Sequence, residues 1–456
     1  MSTFVMTDEA RAAVADLAPG TVVHVVVIGT KPDIIKQMPV YRELVARGLP
    51  TLLCHSMQHQ DHANSGGMLA EFGLTVDIWL RMPEGLALHA RVAALVESAG
   101  DVLAELKSAR LAPLPYVHGD TATSMGVTVA AFLNAIACVH VEAGIRTLTP
   151  TREFLSSVLE THRAGSFDFE AYVAAHLDPQ TFESGSFEPF PEQFNTRVSD
   201  AGSGFHAAPV ELVRSFLLGE GFPAETIAVV GNTVVDATLE AKANAATSRI
   251  FDRFPRLASG EFIRMCVHRR ENTADEARFR ALYSAMEQLL ERGRSILLIQ
   301  LNGTKDAFRR WGLEESLRAL EARYPDTLIV SDVWPEYGDV IAAMLRCSVI
   351  ATDSGSMQEE MNVLGIPCVT LRFGSDRGES FLAGGNVLAP PVSGAFVADV
   401  IDAAYHARDR LRPTAIYGTD CAKALVDEVL ARAVPHSGLF RSEEQRLRLA
   451  PAGPEA

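Results

Sequence analysis

The sequence predicts an α/β fold built from two doubly wound domains. Short apolar runs rich in β-branched residues alternate with amphipathic stretches of helical period along almost the whole chain. Such alternation is typical of repeated βα units around parallel sheets. The alternation of strand-like and helix-like stretches begins again at about residue 227. The 456 residues, 48% of them apolar, suffice for two or three separate hydrophobic cores. We therefore predict two stacked domains rather than one large sheet.

The amino-terminal domain is predicted to span residues 1–222. Its candidate strands lie at 22–28, 51–55, 76–80, 116–118 and 137–141, and helical patterns fill 34–47 and 86–110. A sequence rich in turn formers, GFPA, follows near residue 221 and marks the predicted boundary.

The carboxyl-terminal domain is predicted to span residues 223–434. Its candidate strands are the runs IAVVGN, FIRMCVH, SILLIQL, TLIVSD, SVIATD and PCVTLR, each followed by a helix-like stretch. The last periodic stretch, roughly 395–434, should be helical. The tail, 435–456, ends in PAGPEA and is predicted to be frayed.

Residues 151–189 interrupt this rhythm. The segment is acidic, aromatic and rich in turn formers, and it predicts at most one short helix, at 169–176. A loop of this length inside a compact domain is usually functional or disordered. Its aromatic residues favour a packed lid or an oligomer contact over a free linker: Phe167, Phe169, Tyr172, Phe182, Phe187 and Phe190.

Composition argues against several classes of partner. Lys and Arg number 41 against 57 Asp and Glu, a net charge of -16, which disfavours nucleic acid and requires any phosphate to be held locally. No apolar run reaches the roughly 20 residues of a membrane helix, and the amino terminus lacks a signal pattern. We expect a soluble, cytoplasmic protein with no membrane partner.

Cysteine and histidine spacing gives no metal site. The six cysteines are scattered without a C-x-x-C pair, which predicts reduced, buried thiols. His55, His59 and His62 would align on one helical face, but no further ligand set completes them. We therefore predict no metal.

The segment TDSGSMQEE reads as a strand end, a tight turn and a helix start. Free amides at such a helix start bind phosphate, and Gly355 between Ser354 and Ser356 permits close approach. An ordinary helix start with Ser356 as N-cap explains the pattern equally well. Arg377, just beyond the next strand, could bring a guanidinium to the same phosphates. No Walker motif and no full G-x-G-x-x-G is present.

Charged residues also follow other strands. Lys31 and Lys36 flank the turn into the first helix, either to neutralise a diphosphate or as a solvated helix start. Asp120 and Glu142 end neighbouring strand candidates, and His268 ends a strand of the second domain. A cleft between the domains would combine them for general acid–base catalysis, whereas structural capping explains each residue alone.

These motifs resemble one family. GTKPDIIK, VHGDTATS, HVEAGIRT, PEQFNTRVSDA, VGNTVVDA, VHRREN and TDSGSMQEE occur in the order and character of the UDP-N-acetylglucosamine 2-epimerases, over about residues 23–388. The resemblance implies a GT-B-like fold, with two Rossmann-like domains facing across a cleft that holds the sugar nucleotide. This expectation agrees with the two α/β halves.

The resemblance also implies a reaction and its residues. Members expel UDP from C1 while C2 loses its proton, forming a 2-acetamidoglucal, and UDP is then added back with C2 inverted. No cofactor is required, and a homodimer is expected. By motif, the acid/base carboxylates are Asp120, Glu142 and Glu192, with His268 near the diphosphate. The implied phosphate contacts are Ser354, Gly355, Ser356 and Arg377, the implied ribose contact is Glu360, and the binding residues Lys31 and Lys36 match the family's basic pair. Which carboxylate removes the proton is left open.

The chain departs from the family pattern at several positions. Lys31 stands where arginine is usual, and other departures fall at Gln193, Thr196, Gln300, Gly303, Pro335 and Val340. Lysine keeps the charge but loses the bidentate fork of arginine. Pro335 and Val340 lie where the family contacts the base, so the nucleotide is less firmly predicted.

Four functions follow from these observations. The leading hypothesis is a non-hydrolysing epimerase that interconverts UDP-GlcNAc and UDP-ManNAc, and its nearest rival is a hydrolysing epimerase that releases free ManNAc and UDP. A GT-B glycosyltransferase has no need of the three acids together. A sugar-nucleotide-binding regulator would explain the departures but not the intact Asp120, Glu142, Glu192 and His268.

Overall fold

The computed structural model of the protein describes residues 2–59, 65–83, 85–407 and 409–433. The predicted tail, 435–456, lies outside the described residues. From the amino terminus, the elements of the first half are β1 (Phe4–Met6), α1 (Asp8–Ala15), β2 (Val22–Ile28), α2 (Lys31–Ala46), β3 (Thr51–His55), α3 (Gly67–Glu71), β4 (Ile78–Leu80), α4 (Leu88–Ser108), β5 (Ala112–His118), α5 (Ala122–Leu133), β6 (Val139–Val141), β7 (Leu148–Pro150), α6 (Arg152–Arg163), α7 (Phe169–His176), β8 (Phe182–Ser184), α8 (Glu192–Gly202), β9 (Phe205–Ala208), α9 (Glu211–Gly219) and β10 (Ile227–Val229).

The second half continues the alternation of strands and helices. Its elements are α10 (Val234–Asn244), α11 (Ile250–Arg253), β11 (Phe262–Cys266), α12 (Arg270–Thr273), α13 (Glu276–Glu291), β12 (Ser295–Gln300), α14 (Asn302–Arg310), α15 (Glu314–Arg323), β13 (Leu328–Asp332), α16 (Tyr337–Met344), β14 (Val349–Thr352), α17 (Gly355–Leu364), β15 (Cys368–Thr370), α18 (Gly378–Leu382), β16 (Asn386–Leu388), α19 (Gly394–His406) and α20 (Cys421–Glu428).

Two main sheets organise the molecule. The first runs in the order β1-β4-β3-β2-β5-β6-β9-β10 and is parallel except for β1, which pairs antiparallel with β4 at one edge. The second runs β13-β12-β11-β14-β15-β16 and is parallel throughout. Central strands such as β2, VVHVVVI, are apolar on both faces because helices cover both sides of the sheet. The predicted fold, two α/β lobes facing across a cleft in a GT-B-like arrangement, is confirmed.

One predicted strand belongs to the other lobe. The run IAVVGN, expected to open the carboxyl-terminal domain, forms β10 and pairs with β9 at the edge of the first sheet. Ile227 packs there against Val213 and Leu217 of α9. An edge strand of either sheet has the same apolar pattern, so the sequence could not choose between them. The exact limits of the two domains stay a prediction.

The segment 151–189 contains two helices, so the expectation of at most one was wrong. The antiparallel pair of β7 and β8 brackets α6 and α7. Tyr172 packs in the core of the second lobe, and Phe182 joins a cluster with Phe381 and Leu388. The packed alternative is thus confirmed for part of the segment, whereas Phe187 and Phe190 are exposed.

The chain returns to the first lobe at its described end. The expected helix over 395–434 is divided into α19 and α20 by an irregular stretch. In α20, Leu425 and Val426 are fully buried in the same cluster as Leu44 of α2. Nη1 of Arg47 lies 2.6 Å from Oδ1 of Asp427. The last helix therefore fastens the second lobe to the first.

All six cysteines are buried and free, as predicted. Burial raises the pKa of each thiol to about 12, which keeps the thiols protonated at neutral pH. Within the described residues, no helix is long and apolar enough to cross a membrane.

Candidate active site

A cavity of about 450 Å³ lies between the lobes, at the carboxyl ends of strands from both sheets. Most of the predicted site residues line this one cavity: Lys31, Lys36, Asp120, Glu142, Glu192, His268, Ser354, Ser356, Glu360 and Arg377. Gly355 is the exception, and its position is described below. The topology therefore brings the acids of the first lobe and the cations of the second together, as parallel sheets predict.

A buried ionic cluster forms the floor between the lobes. Lys36, on α2, lies 2.5 Å from Oε1 of Glu142 and also donates to Glu359 of α17. Arg377 donates through Nε to Oε1 of Glu359 at 2.5 Å, and its Nη2 lies 3.3 Å from Oε2 of Glu142. All four residues are at most 4% exposed. The alternative of Lys36 as a solvated helix start is wrong, because its charge is buried and paired with two carboxylates.

Glu142 is held as a carboxylate. Burial opposes its ionisation, but Lys36, Arg377 and His118 outweigh burial and hold its pKa well below the ordinary range. Nδ2 of Asn232 donates to Oε1 of Glu142 at 2.7 Å. The backbone of Glu142 has φ 65°, a left-handed conformation that side-chain-bearing residues adopt at a cost.

His118 adds a third positive charge beside Glu142, after Lys36 and Arg377. Its Nδ1 lies 3.2 Å from Oδ1 of Asp33, and its Nε2 lies 3.2 Å from Oε2 of Glu142, near enough for an ion pair although the angle is outside hydrogen-bond geometry. Burial alone would lower the pKa of His118, but Glu142 and Asp33 raise it to about 9. The imidazole is therefore charged at neutral pH.

Asp120 has the opposite environment from Glu142. It lies in the HGDT turn after β5, and burial raises its pKa despite the attraction of Arg377 and Arg269. Its Oδ2 is buried without a hydrogen-bond partner among the described residues. Gly119, at φ 61°, makes this turn possible, since a Cβ there would lie 3.0 Å from Oε2 of Glu142.

Glu192 is the first residue of α8 and faces the second lobe. Its Oε1 lies 2.7 Å from Nη1 of Arg269, the residue that follows His268. Its Oε2 is buried and has no hydrogen-bond partner within the described part of the chain. Glu192 thus has one oxygen committed to a cation and one oxygen free.

His268 is fixed by Asp353 at the end of β14. The amide of His268 donates to Oδ1 of Asp353 at 2.9 Å, and Nδ2 of Asn272 donates to Oδ2 of the same residue at 3.0 Å. Burial lowers the pKa of His268, although Asp353 opposes this shift. The imidazole is neutral at pH 7 and can donate or accept a hydrogen bond.

The predicted strand end, turn and helix start are present, as the end of β14 and the start of α17. The N-cap is Ser354, not Ser356, and its side chain makes no capping hydrogen bond. A Cβ on Gly355 would lie 3.4 Å from Cζ of Arg377 and 3.4 Å from Nη2 of Arg269. The free amides of the helix start therefore lie beside two guanidinium groups, which is the arrangement of an anion site.

The remaining end of the cavity has apolar walls and three ionisable groups. Nζ of Lys31 donates to the carbonyl of Trp334 at 2.5 Å, and burial lowers its pKa to about 8. Burial also raises the pKa of Glu360 to about 7. Arg264, from β11, is the third group, and Val340 and Tyr337 contribute to the wall.

Several partners of the site were not among the predicted residues. His118, Asn232, Arg269 and Glu359 all lie within the motifs VHGDTATS, VGNTVVDA, VHRREN and TDSGSMQEE. Their place within motifs that follow strands was a usable signal. Which of these residues contact each other could not be predicted, because the contacts join residues as far apart in sequence as Lys36 and Glu359.

His55, one of the three histidines considered for metal binding, has other contacts. Nε2 of His55 lies 2.8 Å from Oγ of Ser65, and burial lowers the pKa of His55 to about 4. His62 lies outside the described residues. In the part of the chain that the structure describes, no group of three potential metal ligands is present.

Relatives were found both by sequence and by structure. The chain is 26% identical over 371 residues to a UDP-N-acetylglucosamine 2-epimerase of Methanocaldococcus jannaschii, covering 80% of this chain and 87% of the relative. It is 28% identical over 367 residues to a putative UDP-N-acetylglucosamine 2-epimerase of Thermotoga maritima, covering 79% and 83% of the two chains.

Solved structures share the fold. The M. jannaschii UDP-GlcNAc 2-epimerase in complex with UDP-GlcNAc and UDP superposes with a TM-score of 0.72 at 22% identity, covering 90% of this chain and 99% of that one. The Neisseria meningitidis enzyme bound to UDP-GlcNAc gives 0.71 at 24% identity, covering 90% and 100%. The sequence profile described as UDP-N-acetylglucosamine 2-epimerase matches residues 42–157 and 181–431. The chain therefore belongs to the UDP-N-acetylglucosamine 2-epimerase family.

Proposed function

We propose that this protein is a UDP-N-acetylglucosamine 2-epimerase that interconverts UDP-GlcNAc and UDP-ManNAc without net hydrolysis. The observation that carries the proposal is the cavity itself. It combines buried carboxyl groups whose pKa values are shifted in opposite directions, raised for Asp120 and lowered for Glu142, with a free helix start flanked by Arg269 and Arg377. Proton transfer at C2 needs the carboxyl groups, and departure of UDP needs the anion site.

The elimination step can be written on these groups. A carboxylate takes the proton from C2, the C–H electrons form the C1–C2 double bond, and the C1–O bond breaks toward UDP. The products are 2-acetamidoglucal and UDP. Amides of Ser356 and its neighbours, with Arg377 and Arg269, stabilise the negative charge of the leaving diphosphate. In the reverse step a carboxylic acid protonates C2 on the opposite face and UDP adds again at C1.

We assign the two proton transfers to Asp120 and Glu192. Each has a buried carboxyl oxygen without a hydrogen-bond partner among the described residues, and both side chains line the cavity. The oxygens of Glu142 are engaged by Lys36, Asn232 and Arg377, and its low pKa makes it a weak base. In this proposal Glu142 positions the two cations, and the neutral His268 donates to the diphosphate.

The test is incubation with UDP-GlcNAc in heavy water, followed by NMR. We expect UDP-ManNAc to appear with deuterium at C2 in both sugar nucleotides, because the proton removed exchanges with solvent before the reverse addition. Free ManNAc as the main product would instead assign the hydrolysing reaction. An unlabelled and unconverted sugar would contradict epimerase chemistry and favour a transferase or a binding protein.

The homodimer implied by the resemblance is also proposed for this chain. Sedimentation equilibrium of the purified protein measures it directly, and a mass of one chain across the micromolar range would contradict it.

A further inference from the structure

Arg264 is a buried cation in the wall of the cavity. It is the third residue of β11, is 4% exposed and lines the cavity with Cys266, Met357 and Glu360. In a parallel sheet covered on both faces, an arginine in the middle of a strand is unusual, because a buried guanidinium needs acceptors for its five donors. Its presence therefore calls for a physical explanation.

The protein supplies few acceptors to this guanidinium. Nη1 of Arg264 donates to the sulfur of Met357 at 3.2 Å, a weak acceptor, and Nε is buried without a hydrogen-bond partner among the described residues. Glu360 contributes a favourable charge at longer range. A ligand that places carbonyl oxygens here would supply the missing acceptors. A ligand without such oxygens would bind more weakly, because it would leave the buried donors of Arg264 unpaired.

The position of Arg264 indicates which part of a ligand it meets. Arg264 pairs with Ile350 on the neighbouring strand, four residues before Ser354 at the phosphate turn. Four residues of strand correspond to about 13 Å. Glu360 lies between the two, one helical turn beyond Ser356 on α17. A nucleotide with its phosphates at the turn and its ribose near Glu360 would direct its base toward Arg264.

The walls at this end suit a flat ring. Cys266, Ile299, Tyr337 and Val340 give this end of the cavity apolar and aromatic walls, and the charged neighbours of Arg264 there are Lys31 and Glu360. Between apolar walls Arg264 thus presents an Nε–H group that is unpaired within the described part of the chain, and in such a setting hydrogen bonds discriminate strongly between isosteric ligands.

We propose that Arg264 determines nucleobase specificity by donating to the carbonyl edge of uracil, at O4. This inference rests on the proposed function for the placement of the nucleotide. Cytosine has the same size as uracil but presents an amino donor at this position, which would face the donors of Arg264. The pocket therefore accepts a uridine nucleotide and disfavours its cytidine counterpart.

The experiment compares UDP and CDP by isothermal titration calorimetry. Wild type is expected to bind UDP at least about tenfold more tightly than CDP, the range of one good arginine–base contact. Arg264→Met, which keeps an unbranched apolar stem but removes the guanidinium and its donors, should weaken UDP binding by about tenfold or more and leave CDP binding nearly unchanged. Arg318→Met, at an exposed position on α15, is the matched control and should preserve the wild-type ratio.

Other outcomes overturn the inference. If Arg264→Met weakened the binding of UDP and of CDP equally, the residue would act on the phosphates, on Glu360 or on the fold rather than on the base. Wild type that binds both nucleotides equally, or neither, would also contradict it. The C2 exchange assay distinguishes the two proposals. If Arg264→Met loses the preference for UDP over CDP but wild type shows no deuterium exchange at C2, only the epimerase proposal is contradicted. If wild type shows exchange but the variant keeps the preference for UDP, only the inference about Arg264 is contradicted.

Discussion

Glu142 and Asp120 lie in adjacent turns, yet their environments differ at the level of single atoms. Glu142 is a carboxylate bound to Lys36, Asn232 and Arg377, whereas burial raises the pKa of Asp120. The same substitution, acid to amide, should therefore have different effects on stability at the two positions.

We expect Glu142→Gln to lower the free energy of unfolding by about 3–5 kcal/mol, because Lys36 and Arg377 would lose one of their carboxylates in a buried site. Asp120→Asn should leave the free energy of unfolding unchanged or increase it, since a neutral group replaces a buried acid, while it abolishes C2 exchange. Urea denaturation and the exchange assay measure both effects. Equal losses of stability would contradict the assigned environments.

His118 predicts a specific dependence of stability on pH. Its pKa in the folded protein, about 9, lies above the ordinary value of 6.5, so its ion pairs with Glu142 and Asp33 contribute fully below pH 6.5 and are lost as pH rises through 9. The difference in unfolding free energy between wild type and His118→Gln should fall by up to about 3 kcal/mol between pH 6.5 and 10.

A second buried histidine provides the control for this prediction. Burial lowers the pKa of His24 to about 4, so it is neutral in the folded protein throughout this range. The difference between wild type and His24→Gln should be nearly constant above pH 7. A constant difference for His118→Gln as well would rule out a charged imidazole at that position.

Among the elements, the segment of α6 and α7 was predicted only in part: α7 has the predicted bounds, Phe169–His176, whereas α6 was not expected. Tyr172 is 3% exposed, and its hydroxyl donates to the carbonyl of Leu388 at 2.8 Å. The amide of Leu388 donates in turn to Nε2 of His176 at 3.1 Å. The segment is therefore part of the second lobe, although its chain neighbours belong to the first.

Substitution of Tyr172, which packs the segment into the second lobe, tests that conclusion. Tyr172→Ala should lower the global free energy of unfolding by about 3–5 kcal/mol, because it leaves a cavity in the core of the second lobe. Tyr172→Phe, which keeps the ring and loses only the hydrogen bond, should cost about 1 kcal/mol. If the segment were an independent flap, neither variant would change the main transition in urea denaturation.

Strand order explains what the sequence could and could not predict at this level. The apolar strands β2 and β3 have the predicted bounds, whereas β5 begins at Ala112, four residues before the predicted start, and the turns that follow strands hold most of the predicted site residues. The sheet to which β10 belongs is decided by packing against α9, which has no local signal. The first helix of the segment, α6, has an apolar stripe at helical spacing, with Phe154, Val158 and Leu159 half-buried against the core of the second lobe, so its pattern was a usable signal that the prediction missed.

At the scale of the whole molecule, several contacts join the lobes. They include the buried cluster of Lys36 with Glu359, the docking of α6 and α7 onto the second lobe, and the packing of α20 against α2. Each would have to break before one lobe could unfold alone. We therefore expect the two lobes to unfold together.

Scanning calorimetry measures this coupling. Wild type should show one transition whose calorimetric enthalpy equals the van't Hoff enthalpy. Leu425→Ala, in α20, should shift that single transition to lower temperature, with a loss of about 2–5 kcal/mol, rather than divide it. Two resolved transitions in wild type would contradict the coupling of the lobes.

The six buried cysteines can serve as reporters of where the protein unfolds. Because all six thiols are buried and protonated at neutral pH, an alkylating reagent can react only with molecules that have at least partly unfolded. Cys54 and Cys138 sample the first lobe, and Cys266, Cys347 and Cys368 sample the second. Mass spectrometry of pulse-labelled protein would therefore measure alkylation at each cysteine and show which lobe unfolds first.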